Sequence, residues 1–297
     1  MTAEREAVKK LVNIEPFPCC VHYWPPEGEW WNDYPDLGEQ VIRVTNAVCL
    51  HAKHRYSWEP ALELAGTIRP SPRIVLYDTP FHHVENPDSA RLGVNLPAEL
   101  DRLLEAIALL QHLAGRSISV IYIDCEVFDL RGASAELQDT TSALYAMIDS
   151  TIRGAAVGAA VWWHGAPNKR RGTGYRSHHL EAVCPACYDP LRPVNQLYRL
   201  CSYVRLAREV WPERRILDIV PCVSLGAGLA DGSKFSKDLL VPARFYEEFG
   251  QILAQQREDW RITNLGAYPT PDLAMTPGWV DGLIALRKGW AEGAGKG

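Results

Sequence analysis

The sequence has 297 residues and a mass of 33.2 kDa, a length that suits two domains of ordinary size or a single (β/α) barrel with insertions. Its residues are 47% hydrophobic and 23% charged, which is typical of folded soluble proteins and excludes extensive disorder. The net charge of -5 provides no basic field for a nucleic-acid backbone, and no apolar run reaches the roughly 18 residues of a membrane span. We therefore expect a cytoplasmic protein with neither nucleic acid nor a membrane as its partner.

Strand-like and helix-like segments alternate along the chain, which is typical of a parallel sheet covered by helices. The predicted strands are 17–24, 41–51, 73–79, 117–126, 155–164, 215–225 and 261–268, and the predicted helices are 96–113, 136–153, 194–211, 242–257 and 277–290. Seven strands and a short eighth one predict a single (β/α)8 TIM-like barrel with extended loops, in which 1–297 is one domain. An open doubly wound sheet is the alternative, but no glycine-rich dinucleotide turn follows the first strand.

Polar and aromatic side chains recur where the predicted strands end. In (β/α) barrels the active site forms at the carboxyl ends of the strands, so these side chains are the candidates for chemistry. They are His22, Tyr23, Trp24, His51, Asp78, His82, His83, Asp124, Glu126, Trp162, Trp163, His164, Ser224, Tyr268 and Asp272. Because the pattern recurs in at least five units, it predicts a cleft at this end of the sheet.

Asp124 and Glu126 form the sharpest pair among these candidates. Two residues apart on a strand, they point to the same side with alpha carbons roughly 6.6 Å apart. Two neighbouring carboxyls resist ionising together, so one stays protonated and can act as a general acid. Glycosidic bond cleavage requires such a pair of carboxyls, one protonated and one charged. If the reaction is retaining by direct attack, Asp78 or Asp272 is the expected second carboxylate; if neither reaches the site, we expect substrate assistance. Tyr268 is a further catalytic candidate.

Aromatic side chains favour a carbohydrate ligand independently of the carboxylates. Trp and Tyr rings pack on the apolar faces of sugar rings, while polar edges hold the hydroxyls. The predicted substrate-binding residues are His22, Tyr23, Trp24, Trp162, Trp163, His164 and Asp272. Trp162 and Trp163 are adjacent on a strand, so one of them faces inward and the other lies beneath the outer helices.

A fourth strand that ends in Asp124 and Glu126 resembles the catalytic strand of family 18 chitinase-type and family 25 lysozyme-type glycoside hydrolases. In the chitinase-type family the Glu donates the proton and the preceding Asp orients the acetamido group of the substrate, which attacks in place of an enzyme nucleophile. The resemblance implies a glycosidase with Glu126 as acid, Asp124 as its helper, a carbohydrate substrate and no cofactor. It covers one strand and the barrel layout, because Ser119 and Tyr122 stand where the chitinase-type pattern has Asp.

Two other functions stay open at this point. A metal-dependent barrel isomerase or hydrolase of a small polar substrate could use the same His and carboxylate side chains, but no spacing between them is typical of a metal site, so we assign no metal ligand. The second open function is that of a barrel that binds glycans without cleaving them.

Cys184 and Cys187 could hold zinc in the long predicted loop 165–193, although no second Cys pair completes the four ligands. The sequence carries no signal for an oligomeric state.

Overall fold

The computed structural model describes residues 19–21, 35–78, 89–123, 135–164, 182–184, 187, 195–210, 218–225, 227–230, 234–268 and 278–295. The helices in this part of the chain are α1 (Pro35–Thr45), α2 (Trp58–Thr67), α3 (Ser89–Ala114), α4 (Ala135–Ala155), α5 (Gln196–Val210), α6 (Ala243–Gln255) and α7 (Trp279–Ala294). The strands are β1 (Cys19–Val21), β2 (Ala47–His51), β3 (Arg73–Asp78), β4 (Val120–Ile123), β5 (Ala160–His164), β6 (Ala182–Cys184), β7 (Asp218–Ile219), β8 (Cys222–Ser224), β9 (Ala227–Ala230), β10 (Lys234–Leu240) and β11 (Leu265–Tyr268).

The protein is an α/β structure built on parallel strands. Strands β2 to β7 pair side by side in chain order, and all five ladders are parallel. A second parallel set has the order β1, β11, β8. Only two residues separate β7 from β8, and Ile219 of β7 also forms a parallel bridge with Ile262, just before β11. Strand β1 contacts β2, but in the described part of the chain no backbone ladder joins these two strands.

Most predicted elements occur in the structure, with three corrections among the strands. The predicted strand 41–51 is half helix, because α1 continues to Thr45 and β2 begins only after Asn46, whose φ of 50° reverses the chain. The predicted strand 155–164 begins at Ala160, after α4 has ended and the chain has turned through Gly158, at φ 85°. The strand that pattern analysis could not locate is β6, in the middle of the predicted loop 165–193.

The helical predictions need smaller corrections. Helix α3 begins at Ser89, before the predicted 96–113, and carries Pro97 inside it. The glycine-containing segment 225–232, which follows the predicted strand 215–225, includes β9, and β9 pairs antiparallel with β10. None of the helices in the described ranges combines the length and the apolar character that a membrane crossing requires.

Alternation along the parallel strands separates two apolar cores. Side chains on one side pack against the helices, as Ile74 and Leu76 of β3 do. Side chains on the other side form a separate inner cluster, which among the described residues consists of Ala47, Cys49, Val75, Tyr77, Val120, Tyr122, Trp162, Ala182, Cys184 and Val220. Parallel strands covered on both faces need apolar residues at nearly every position, and this requirement produces the continuous runs seen in the sequence.

Helices α6 and α7 pack unusually closely, because glycines line their contact. A β-carbon on Gly289 would lie 1.8 Å from the carbonyl oxygen of Glu247, and one on Gly250 would lie 2.2 Å from that of Leu286. The two backbones therefore touch directly, which only glycine permits. On its other side α7 holds α1, since the buried Arg287 donates hydrogen bonds of 2.8 and 2.6 Å to the carbonyls of Arg43 and Val44 at the end of that helix.

Candidate functional site

A layer of aromatic rings crosses four neighbouring strands on the inner side of the sheet. His51, Tyr77, Tyr122 and Trp162 are partners in register from β2 to β5. The ring centroids lie 5.0 Å apart for His51 and Tyr77, 5.3 Å for Tyr77 and Tyr122, and 6.4 Å for Tyr122 and Trp162. The middle pair is stacked, and the two outer pairs meet edge to face. We call these four side chains the aromatic layer.

The aromatic layer lies near the carboxyl ends of its strands. The layer beneath it is small and apolar, since Cys49, Val75 and Val120 each precede a member of the aromatic layer by two residues and point to the same side. The last residue of β2 is His51 itself, and β4 ends one residue after Tyr122. Asp124 follows directly in the sequence. On β2, β3 and β4 the aromatic layer is thus the last described interior level before the chain leaves the sheet.

The imidazole of His51 is held in a defined orientation. Its Nδ1 accepts a hydrogen bond of 3.0 Å from the backbone N–H of Lys53, so in the neutral ring the proton is on Nε2. Burial, together with the smaller effects of the positive charges of His54, Lys53 and Arg102, lowers the pKa of His51 to about 3. His51 is therefore neutral at physiological pH and presents an Nε2–H donor at the edge of the aromatic layer.

The backbone carbonyl of His51 also holds the turn that follows β2. The carbonyl of His51 accepts hydrogen bonds from the indole Nε1–H of Trp58 and from the backbone N–H of His54, both at 3.0 Å. Arg55 extends the attachment to α3 by donating to the carbonyl of Arg102 at 3.2 Å. The segment 51–57, which we call the His51 turn, is thereby tied to β2, α2 and α3.

The structure does not bring Asp78 to the aromatic layer, although the sequence predicts this residue at the mouth. Asp78 alternates with Tyr77, so its fully buried carboxylate is on the side of the helices. There it accepts hydrogen bonds of 2.8 and 3.0 Å from the guanidinium of Arg102, which also pairs with Glu99. A carboxylate in this position joins β3 to α3, and the geometry favours a structural role over that of a nucleophile.

The two adjacent tryptophans point in opposite directions, as neighbours on a strand must. Trp162 belongs to the inner cluster and the aromatic layer. Trp163 packs in the outer core, where its indole Nε1–H donates a 3.0 Å hydrogen bond to the buried carboxylate of Asp149 on α4. Of the two, only Trp162 lies on the inner side of the sheet, where its ring could contact a ligand.

The other predicted site residues are described in part or not at all. His164 and Tyr268 end β5 and β11, and their backbone positions place both at the carboxyl ends of parallel strands. The remaining predictions lie outside the described residues, and these are His22, Tyr23, Trp24, His82, His83, Asp124, Glu126 and Asp272.

The two cysteines of the predicted zinc pair lie in different cores. Cys184 is buried in the inner cluster at the end of β6, whereas Cys187 is buried in the core beneath the helices. Within the ranges described above, no group of three or more His, Cys, Asp or Glu side chains is arranged to hold a metal ion.

Sequence reasoning did not assign Tyr77 and Tyr122 to the site. A signal was present, because Tyr122 precedes Asp124 by two residues and therefore shares its side on an extended strand. Their alignment with His51 and Trp162 depends on the register between strands, and pattern analysis of single segments does not reveal that register.

No protein-family model matches the chain, and no curated protein matches it. Solved structures with a similar fold include glycoside hydrolase barrels. A family 18 chitinase from Cycas revoluta has a TM-score of 0.55 at 10% identity over 92% of this chain and 99% of its own. A class V chitinase from Pseudomonas fluorescens Pf-5 has a TM-score of 0.54 at 10% identity over 93% and 99%. A calcium-binding mutant of Bacteroides uniformis β-glucuronidase 2 has a TM-score of 0.55 at 12% identity over 89% of this chain.

The chain spans 32% of the length of that glucuronidase and 64% of a methyltransferase from Methanosarcina mazei, which has a TM-score of 0.48 at 14% identity over 80% of this chain. The likeness to the two chitinases and the glucuronidase, at such low identity, shows a shared fold, and the activity has to be argued from the residues of this chain.

Proposed function

We propose that the protein is a glycoside hydrolase, with its active site at the carboxyl ends of the parallel strands, above the aromatic layer. The observation that carries the proposal is the in-register row of His51, Tyr77, Tyr122 and Trp162 directly below the point where β4 runs into Asp124. The similarity of the fold to solved glycosidase barrels supports it.

The chemical part of the proposal assigns Glu126 as the proton donor and Asp124 as its partner. Both residues follow Ile123, the last residue of β4, so their sequence positions are at the end of a central strand. If the alternation of β4 continues, Asp124 and Glu126 share the inner side with Tyr122. A carboxylic acid above a floor of rings is poorly hydrated, and poor hydration favours its protonated form.

The described interior suits an uncharged ligand. Its side chains are apolar or aromatic, and His51 is neutral with its proton on Nε2. Flat aromatic surfaces and a neutral donor are complementary to the faces and hydroxyls of a sugar ring. We propose that the substrate is a neutral oligosaccharide and that Trp162 helps to form the floor of its binding site.

The proposal includes a closed (β/α)8 barrel. Counting β7 and β8 as one interrupted strand, the parallel strands are β1, β2, β3, β4, β5, β6, β7 with β8, and β11. The two paired sets are continuous through the short step from β7 to β8, and β1 contacts β2 on the other side. Closure between β1 and β2 would bring the carboxyl ends of all eight strands to one rim.

The test is the release of reducing sugar from chitin-type, peptidoglycan, xylan and glucan oligosaccharides. We expect the wild-type protein to cleave at least one class of substrate and Glu126→Gln to lose at least 100-fold in kcat, since one general acid contributes about 10² to 10⁴ in rate. Glu63→Gln, on the exposed face of α2, is the matched control and should retain wild-type activity.

Circular dichroism and the melting temperature establish that both variants fold like the wild type. Full activity of a folded Glu126→Gln would refute the assigned acid. Absence of cleavage by the wild-type protein on every class of substrate would refute the proposed hydrolase activity.

A further inference from the structure

The His51 turn contains a titratable ring that serves as a structural acceptor. The backbone N–H of Lys53 donates to Nδ1 of His51, while the carbonyl of His51 accepts from His54 and Trp58. The imidazole thus closes the turn on itself, two residues beyond the end of β2. Only the neutral ring can do this, because a protonated imidazole has donors at both nitrogens and no acceptor.

We propose that the His51 turn is a pH-sensitive latch, in which protonation of Nδ1 removes the acceptor of the Lys53 N–H and opens the segment 51–57. The proton taken up comes from solvent and stays on the imidazole, so no other group has to change its charge. The inference concerns the folding of this turn and does not depend on the proposed glycosidase activity.

The surroundings of the ring oppose protonation while the turn is closed. Lys53 and His54 of the same turn and Arg102 of α3 place positive charge near His51, which is itself buried. Strand β3 presents the ring of Tyr77, whose centroid lies 5.0 Å from that of His51.

Three carboxylates of β3 and α3 lie close to arginines near the turn. Asp78 of β3 and Glu99 of α3 pair with Arg102, both at 2.8 Å. Glu105 of α3 lies 3.9 Å from Arg55. The closed turn therefore disfavours a cationic imidazole, whereas an open turn exposes it to water.

The difference in the pKa of His51 between the open and the closed turn sets how strongly the ratio of the two forms depends on pH. In the open turn His51 titrates with its ordinary pKa of about 6.5, while burial lowers the pKa of the closed form to about 3. The ratio of open to closed turn consequently rises about tenfold for each pH unit below 6.5, which amounts to about 100-fold at pH 4.5.

Hydrogen exchange of the intact protein, read by mass spectrometry at pH 8, 6.5 and 4.5, tests the latch. After correction for the intrinsic exchange rates, we expect the protection of the 51–57 peptide to fall about 100-fold between pH 8 and pH 4.5. Peptides from α6 should retain their protection. His51→Asn is the decisive variant, because an amide oxygen can accept the Lys53 N–H at a similar position and does not titrate in this range.

In His51→Asn we expect a clearly smaller fall in the protection of the turn, because His54, whose pKa is also lowered by burial, is then the histidine that still titrates in this segment. His112→Asn, which removes an exposed histidine on α3, should behave like the wild type. The proposal is overturned if the wild-type turn loses less than about threefold in protection, or if His51→Asn loses as much as the wild type does.

A second measurement keeps the proposal testable if the variant does not fold. Nitrogen NMR of the histidine rings in the wild-type protein at pH 7 should assign the proton of His51 to Nε2. A ring protonated at Nδ1 would exclude the hydrogen bond on which the latch depends.

Discussion

Replacing Gly289 by alanine should destabilise the protein, although alanine is the better helix former. The added β-carbon would lie 1.8 Å from the carbonyl oxygen of Glu247 and 2.9 Å from its alpha carbon, where ordinary contact begins near 3.4 Å. The obstacle is backbone, so α6 and α7 have to separate by about 1.6 Å at this point, or one of them must bend. Overpacking of this kind costs about 1–3 kcal/mol, and we expect a value near the upper limit.

The gain from helix propensity, about 1 kcal/mol, offsets part of this cost. The net loss of about 2 kcal/mol corresponds to a fall of roughly 4–8 °C in melting temperature. Gly154→Ala is the matched control, because Gly154 is an exposed glycine in α4 with no atom within 4 Å of the new β-carbon. That variant should be up to about 1 kcal/mol more stable than the wild type.

Urea unfolding followed by circular dichroism measures both variants on the same scale. Gly250→Ala, whose β-carbon would meet the carbonyl oxygen of Leu286 at 2.2 Å, should behave like Gly289→Ala. If Gly289→Ala proved as stable as Gly154→Ala, the two helices would not touch through their backbones, and the packing described for α6 and α7 would be refuted.

Two further predictions concern the charged groups near the carboxyl ends of β2 and β3. Arg102→Met should lower the free energy of unfolding by about 3 kcal/mol, because it removes the guanidinium from the fully buried carboxylate of Asp78. In urea unfolding, the double variant Arg102→Met with Asp78→Asn should recover part of that loss. A folded Asp78→Asn that loses catalysis and retains stability would contradict the structural role of this carboxylate. His51 should make the protein sensitive to acid: its lowered pKa means that stability is complete above about pH 6.5 and is lost as the pH falls towards 3, by about 2 kcal/mol at pH 5. Urea unfolding at pH 7 and pH 5 measures this loss: the free energy of unfolding should fall by about 2 kcal/mol more in the wild type than in His51→Asn. Equal falls in the two proteins would contradict the assigned role of His51.

Several features of the fold were predictable because each depends on a short stretch of sequence. Buried parallel strands need apolar residues at almost every position, and this requirement makes β3 and β4 recognisable in the sequence. The helical spacing of apolar residues likewise predicts α4 and α6 to within a few residues. Trp162 and Trp163 had to lie on opposite sides of the sheet, because alternation is a local property of an extended chain.

Other features escaped prediction because their causes are not local. Strand β6 has three residues, too few for a pattern, and exists through its ladders with β5 and β7. The segment 41–45 is rich in β-branched residues, yet it is helical because packing of α1 against the sheet and α7 overrides a weak propensity.

The candidate site divides in the same way. The sequence by itself determined that Asp124 and Glu126 follow an apolar strand in an alternating α/β pattern, since composition and periodicity are written along the chain. Only the tertiary structure decided that four aromatic rings form one row, those of His51, Tyr77, Tyr122 and Trp162. It also decided that Asp78 forms an ion pair with Arg102 on the side of the sheet that the helices cover. The physical reason is that register and partner choice arise from contacts between segments far apart in sequence, whereas secondary structure is largely set by neighbours along the chain.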